Sequence, residues 1–266
     1  MDTTRRPLWL KRTRRNRCIV VLGALALLAG CSTESDPKPV VPVTVTVTAD
    51  PSASTPAARA TDIPTSSAAV ASGSYGGLAA SFRRVAASTG LTVGIAIAPV
   101  GGSAVPGLTL GDATPRVAWS TIKVPLAVAA ERQNGPSTAE SNAIINSDNA
   151  SAESLWSSLG SDAAAARKVT AVLREGGDTQ SAVPAQRLRG GFTIFGQTVW
   201  PLPAAATFTA HLPCMPGTSH VVSLMGQVAA NQQWGVEVMS KPAATAVKGG
   251  WGPGTDGSYL VRQIGL

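Results

Sequence analysis

The order of apolar patterns along residues 75–266 predicts one domain of the α+β or α/β type, with helices packed on an antiparallel sheet. Three observations carry this. A helical pattern and a short alternating hairpin come first, a run of helical patterns fills the middle, and strand-like segments come last. The stretch is also long enough to bury a sizeable core as a single domain.

The elements follow in order. GLAASFRRVAAS at 77–88 reads as a first helix, ended by Gly90. LTVGIAIAPV puts Val93, Ile95 and Ile97 on one face of a strand, Gly101-Gly102 makes a turn, and SAVPGLTLGD reads as a returning strand. STIKVPLAVAAERQ at 120–133 reads as a helix, with Pro125 near its start, where proline is tolerated. TAESNAIINS and NASAESLWSSLG give two more helices, broken around Ser147-Asp148-Asn149. SDAAAARKVTAVLREGG is a helix closed by Gly176-Gly177. VVSLMGQVAANQQW places Val221, Leu224, Met225 and Val228 at helical spacing, as core residues. WGVEVM, AATAVKGGW and SYLVRQIGL read as terminal strands.

Upstream of this domain the chain reads as targeting sequence. Seven basic residues, from Arg5 to Arg17, precede the apolar run from Cys18 to Leu28. That run has 11 residues, against the roughly 20 needed to span a bilayer, so it predicts a secretory signal rather than a permanent span. Leu28-Ala29-Gly30-Cys31 resembles the bacterial lipobox, which implies lipidation of Cys31 and removal of residues 1–30. The expected location is the extracytoplasmic face of the cell membrane, with the membrane as partner through the N-terminal lipid. The pairs Arg5-Arg6 and Arg14-Arg15 leave the export route open. Residues 31–74 form the expected tether: 32–74 lack aromatic residues and are dominated by Ser, Thr, Pro, Ala and Val, a composition that cannot bury a core.

Charge excludes one class of partner. Nearly all of the formal charge of +7 resides in the signal, since 15 basic and 14 acidic residues remain after position 30. No basic-aromatic stripe remains, so nucleic acid is not an expected partner. Metals and cofactors are not expected either. The only histidines are His211 and His220, no acidic cluster accompanies them in sequence, and no nucleotide fingerprint is present. Cys214, in HLPCMPG, is the single cysteine of the folded part and reads as a small packed apolar residue.

Three short motifs carry candidate chemistry. Ser120 and Lys123 stand three apart, on one face of a helix, where a desolvated lysine can serve as base to a serine hydroxyl. Alone, the pair is equally a capping serine and a solvated lysine. Ser147-Asp148-Asn149 alone is a turn or cap, and Lys248-Gly249-Gly250 alone is a turn.

Together, and in this order, the motifs resemble those of the penicillin-recognising serine hydrolases, namely class A β-lactamases and D,D-peptidase-type penicillin-binding proteins. AWSTIKVPLAVAA, LREGGDT, QWGVEVM and VKGGWG extend the similarity over most of 77–266. The combination with a lipobox also resembles a group of actinobacterial surface lipoproteins. The resemblance implies an α+β fold with an antiparallel sheet, here with a reduced helical lobe because Ser120 and Ser147 are close in sequence. It implies Ser120 as acylated nucleophile, Lys123 as its base, and Ser147 as proton relay to the leaving nitrogen. Asn149 would hold a substrate amide, and Lys248 would supply positive potential for a substrate carboxylate. The backbone N–H groups of Ser120 and Trp251 would form the oxyanion hole. Asp148 braces the loop.

Departures from the family pattern shape the expectation. Gly249 stands where the family carries a hydroxyl that helps bind the substrate carboxylate. The stretch GDTQSAVPAQRLRGGFTIFGQT holds no glutamate, with Gln186 and Gln197 as its polar candidates, so turnover of β-lactams is not expected. Family members continue past the segment matching SYLVRQIGL with another strand and a long helix. Here either the N-terminal hairpin closes the sheet differently or the sequence is truncated. Two readings result: a serine hydrolase or transferase acting on an amide or cell-wall peptide outside the cell, or a non-catalytic descendant serving as an envelope binding or structural lipoprotein. A solute-binding lipoprotein of unrelated fold leaves the motif order as coincidence.

Overall fold

The computed structural model describes residues 76–101, 107–240 and 244–266. The expected signal peptide, Cys31 and the tether of 31–74 lie outside the described residues. Among those described, no helix is long and apolar enough to cross a membrane.

The fold is α+β: seven helices and two small antiparallel hairpins among the described residues. Helix α1 (Gly76–Thr89) leads into β1 (Gly94–Ile97), which pairs antiparallel with β2 (Leu108–Gly111). Helices α2 (Lys123–Asn134), α3 (Thr138–Ile145), α4 (Asn149–Ser158) and α5 (Asp162–Glu175) follow. After a long loop come α6 (Leu202–His211) and α7 (Ser219–Met225). Strands β3 (Val247–Pro253) and β4 (Tyr259–Gly265) pair antiparallel, with Lys248 opposite Ile264 and Trp251 opposite Val261.

Helix α2 is the hub. Lys123 through Ala130 are all buried, so this helix is apolar on every face and enclosed by its neighbours rather than amphipathic. Around it the core gathers Trp156 of α4, Leu173 of α5, Phe208 of α6 and Val221 of α7. The two fully buried indoles bring their N–H groups to carboxylates: Trp156 donates to Asp162 at 2.7 Å and Trp200 to the buried Asp178 at 2.9 Å. Local caps match the sequence. Ser137 and Glu140 form a reciprocal capping box on α3, and the side chains of Asp148 and Ser161 cap α4 and α5.

Several expectations are corrected. WGVEVM is not a strand: Gly235–Val238 forms a 3-10 turn. The alternation of Val236 and Val238 finds no partner strand, and Val236 N–H bonds instead to the Gln263 side chain at 2.9 Å. The α7 pattern stops at Met225, where Gly226 follows, so Val228 is buried from a loop. Helix α6, in LPAAATFTAH, has no clear apolar stripe and is legible only in the structure. Cys214 is exposed on a 3-10 turn after α6, between the buried Leu212 and Met215, rather than packed. The two hairpins form separate two-stranded sheets, so the N-terminal hairpin does not close the β3–β4 sheet.

Candidate active site

The site begins at the entry to α2. Residues Trp119–Ile122 form a 3-10 turn before the α-helix starts at Lys123, rather than one helix from Ser120. Thr121 fixes the turn by donating from its hydroxyl to Ala118 O at 2.6 Å. Trp119 has φ 48° and Ser147 has φ 57°. These are the two non-glycine residues in the left-handed region among those described, and they flank the same site from different elements. Such backbone is expensive for residues with a Cβ and persists where surrounding structure imposes it.

Strand β3 runs against the 3-10 turn. A Cβ at Gly250 would stand 2.9 Å from both Ser120 N and Thr121 N, and one at Gly252 would stand 2.6 Å from the Trp119 ring. Glycine at both positions lets the strand lie directly on the turn. Ser120 and Trp251 therefore line one cleft of about 420 Å³, together with Asn149, Phe192 and Tyr259.

Behind the cleft lie two fully buried lysines. Lys123 Nζ donates to Ser147 O at 2.6 Å and to Asn149 Oδ1 at 2.7 Å, and lies 3.5 Å from Ser147 Oγ. Lys248 Nζ donates to Ser147 Oγ at 2.9 Å, to Gln232 Oε1 at 2.5 Å and to Gly249 O at 3.1 Å. Among the described residues neither ammonium has a carboxylate in direct contact, and desolvation disfavours the charged form. Burial pushes Lys123 down to about 8, against the pull of the Asp148 charge. Burial, and then the charge of Lys123, push Lys248 well below its ordinary value. A neutral amine at this position can accept a proton, which an ordinary surface lysine cannot.

The structure thus brings together Lys123, Ser147, Asn149 and Lys248, and sets Ser120 and Trp251 beside them on the cleft. It does not join Ser120 to Lys123 by a hydrogen bond, because the Lys123 ammonium is turned to the 147–149 turn. Lys248 does not line the cleft, and it reaches the site through Ser147. Asp148 caps α4 by accepting from Ser151 N at 2.7 Å. Gln197 faces inward, donating to the carbonyls of Arg189, Phe192 and Thr193, and is not a group of the cleft. The position of Gly249 is roofed by aromatic rings: a Cβ there would lie 3.0 Å from Trp251 and 3.4 Å from Trp234.

Sequence reasoning missed two participants. Gln232 is fully buried; its carbonyl accepts from Lys248 Nζ and Gly249 N, and its amide donates to the carbonyls of Ile144 and Ile145. It ties β3 to the end of α3, and its only sequence signal was its place at the end of an apolar pattern. Glu153, on α4, brings a carboxylate to the cleft from outside the loop searched for one, 4.0 Å from Arg187. Away from this site, Glu131 and Glu140 meet His220, correcting the expectation that no acidic group accompanies the histidines.

No family model matches the chain, and no curated protein matches it. Among solved structures it is similar to a reconstructed last common ancestor of Gram-negative bacterial class A beta-lactamases, at 20% identity and a TM-score of 0.49, covering 71% of this chain and 83% of that one. It is also similar to a beta-lactamase from Xanthomonas campestris pv. campestris, at 19% identity and a TM-score of 0.49, covering 70% of this chain and 81% of that one. These TM-scores lie below 0.5, and the functional reading rests on the side chains described above.

Proposed function

We propose that the protein is a lipid-anchored extracytoplasmic serine acyl-transfer enzyme of the penicillin-recognising type, acting on an amide or cell-wall peptide and not turning over β-lactams. One observation carries the reading: two fully buried lysines converge on the Ser147 hydroxyl immediately behind a cleft lined by Ser120. A structural role would place lysines at the surface, where their charge is solvated. Perturbed amines gathered beside a hydroxyl and a cleft fit a site for moving protons.

In this reading Ser120 Oγ attacks the substrate carbonyl carbon, and its proton passes to neutral Lys123. The carbonyl oxygen becomes an oxyanion received by the N–H groups of Ser120 and Trp251. Ser147, bonded to both lysines, relays the proton to the leaving nitrogen as the C–N bond breaks. Asn149, whose Oδ1 is taken by Lys123, offers its amide N–H₂ to a substrate carbonyl. The acyl group then stays on Ser120 until water or an amine displaces it. The Lys-Gly-Gly segment lacks the carboxylate-binding hydroxyl, which lowers affinity for β-lactams by about 1.5–3 kcal/mol.

A second reading has its own support. Lys123 is engaged by Ser147 and Asn149 without contact to Ser120, and Trp251 and Trp234 cover residue 249. These favour a cleft that binds an envelope ligand without catalysis. Incubation with a serine-reactive fluorophosphonate and with labelled penicillin, followed by intact-mass measurement, separates the two. The enzyme reading expects an adduct that disappears in Ser120→Ala. A folded protein that takes no adduct from either probe overturns it in favour of the binding reading. The anchor is tested separately: metabolic labelling with a fatty-acid analogue should mark the chain and fail in Cys31→Ser.

A further inference from the structure

We infer that Glu131, Glu140 and His220 form a binding site for one divalent cation of the zinc type, independent of the serine site. The three residues come from α2, α3 and α7, and one potential ligand atom from each lies within 4.8 Å of the others. Glu131 stands eight residues beyond Lys123 on α2, about 12 Å along the helix axis.

Two independent observations point to a ligand. The first is spacing. His220 Nδ1 lies 3.3 Å from Glu131 Oε2 and 3.6 Å from Glu140 Oε2. A tetrahedral zinc with ligands at about 2.0 Å sets neighbouring ligand atoms about 3.3 Å apart. The second is an orphan. Glu140 is 1% exposed, and its Oε1 is buried with no hydrogen-bond partner. A carboxylate oxygen left bare in the interior is expensive unless a proton or a cation compensates it. Its other oxygen, Oε2, accepts from Ser137 N at 3.3 Å in the capping box and is the one that faces His220.

The chemistry of the donor set fits. Two carboxylates and one imidazole suit a borderline cation such as Zn²⁺, and a water completes the four positions. His220 and Glu131 are partly exposed at 37% and 14% of their side chains, which gives the ion a path in. The bound ion would clamp the end of α2 to the start of α3 and to α7.

The experiment is thermal unfolding of the full-length chain with and without Zn²⁺, after removal of metal by chelation, with calorimetric titration of Zn²⁺ into the same protein. The expected result is a rise in Tm by several degrees, with saturable binding of one Zn²⁺ per chain. Both should be lost in Glu140→Gln, which keeps the capping box because glutamine serves it equally. They should also be lost in His220→Ala, which alters a half-exposed side chain, and retained in His211→Ala. No Tm shift in the wild-type protein, or a shift that survives either Glu140→Gln or His220→Ala, overturns the inference.

Discussion

At the scale of single residues, Lys123 sets the pH dependence. Its ammonium is held down to about 8 by burial, so below that value it is protonated and cannot accept the Ser120 proton. Acylation of Ser120 should therefore rise as pH increases through about 8 and level off above it, measured as the rate of fluorophosphonate labelling. Lys123→Ala should slow labelling by about 10²–10⁴-fold, the usual worth of a positioned base. Glu153 offers a direct check on deacylation. If the acyl group persists because no base activates water, Glu153→Gln should leave the lifetime of a penicillin adduct unchanged, whereas a longer lifetime would assign the deacylation base to α4. Gln232 is a positioning residue: Gln232→Leu strips an acceptor from Lys248 Nζ and Gly249 N in the interior. It should destabilise the fold by about 1–3 kcal/mol in urea titration.

At the scale of elements, the site depends on how closely β3 approaches the 3-10 turn before α2. Gly250→Ala places a methyl 2.9 Å from Ala118 O, Ser120 N and Thr121 N, all backbone atoms that cannot rotate away. The expected outcome is a loss of about 1–3 kcal/mol by overpacking, with Ser120 labelling reduced further because the strand is lifted off the turn. The helices themselves were largely legible. Gly176-Gly177 after Glu175 is a local signal whose physics lies within one helical turn, and α5 stops by it; the Ser137–Glu140 box that starts α3 is equally local, although it was found only in the structure. Helix α6 was not legible, because Pro203 and the alanine run carry no stripe, and its burial against β1 and β4 comes from tertiary packing. The strand expected at WGVEVM failed for the same reason in reverse. Alternation makes a strand only where a partner strand offers its ladder, and here the Gln263 side chain satisfies the backbone instead.

At the scale of the whole molecule, the loop from α5 to α6 is bound to the core by buried polar side chains and by one antiparallel bridge, Val117 to Val199. Asp178 is 1% exposed and accepts from Gln180 N, Ser181 N and Trp200 Nε1. Asp178→Ala should destabilise the protein by roughly 3 kcal/mol, since it leaves several donors bare in the interior, and the loss should appear as a lowered Tm. Arg262 of β4 plays a similar part, donating to the carbonyls of Arg116, Val117 and Trp200 and so linking the strand pair to the approach to Ser120. The sequence by itself determined the approximate ends of α1, α4 and α5, the strands of the two hairpins, and the residue types that could form a serine site, because periodicity and capping are interactions between near neighbours. Only the tertiary structure decided which atoms meet. It turned Lys123 toward Ser147 and Asn149 rather than Ser120, added Gln232, and brought two glutamates to His220. Those contacts join residues far apart in the chain, and the packing of α2 against its neighbours sets them, which no local pattern encodes.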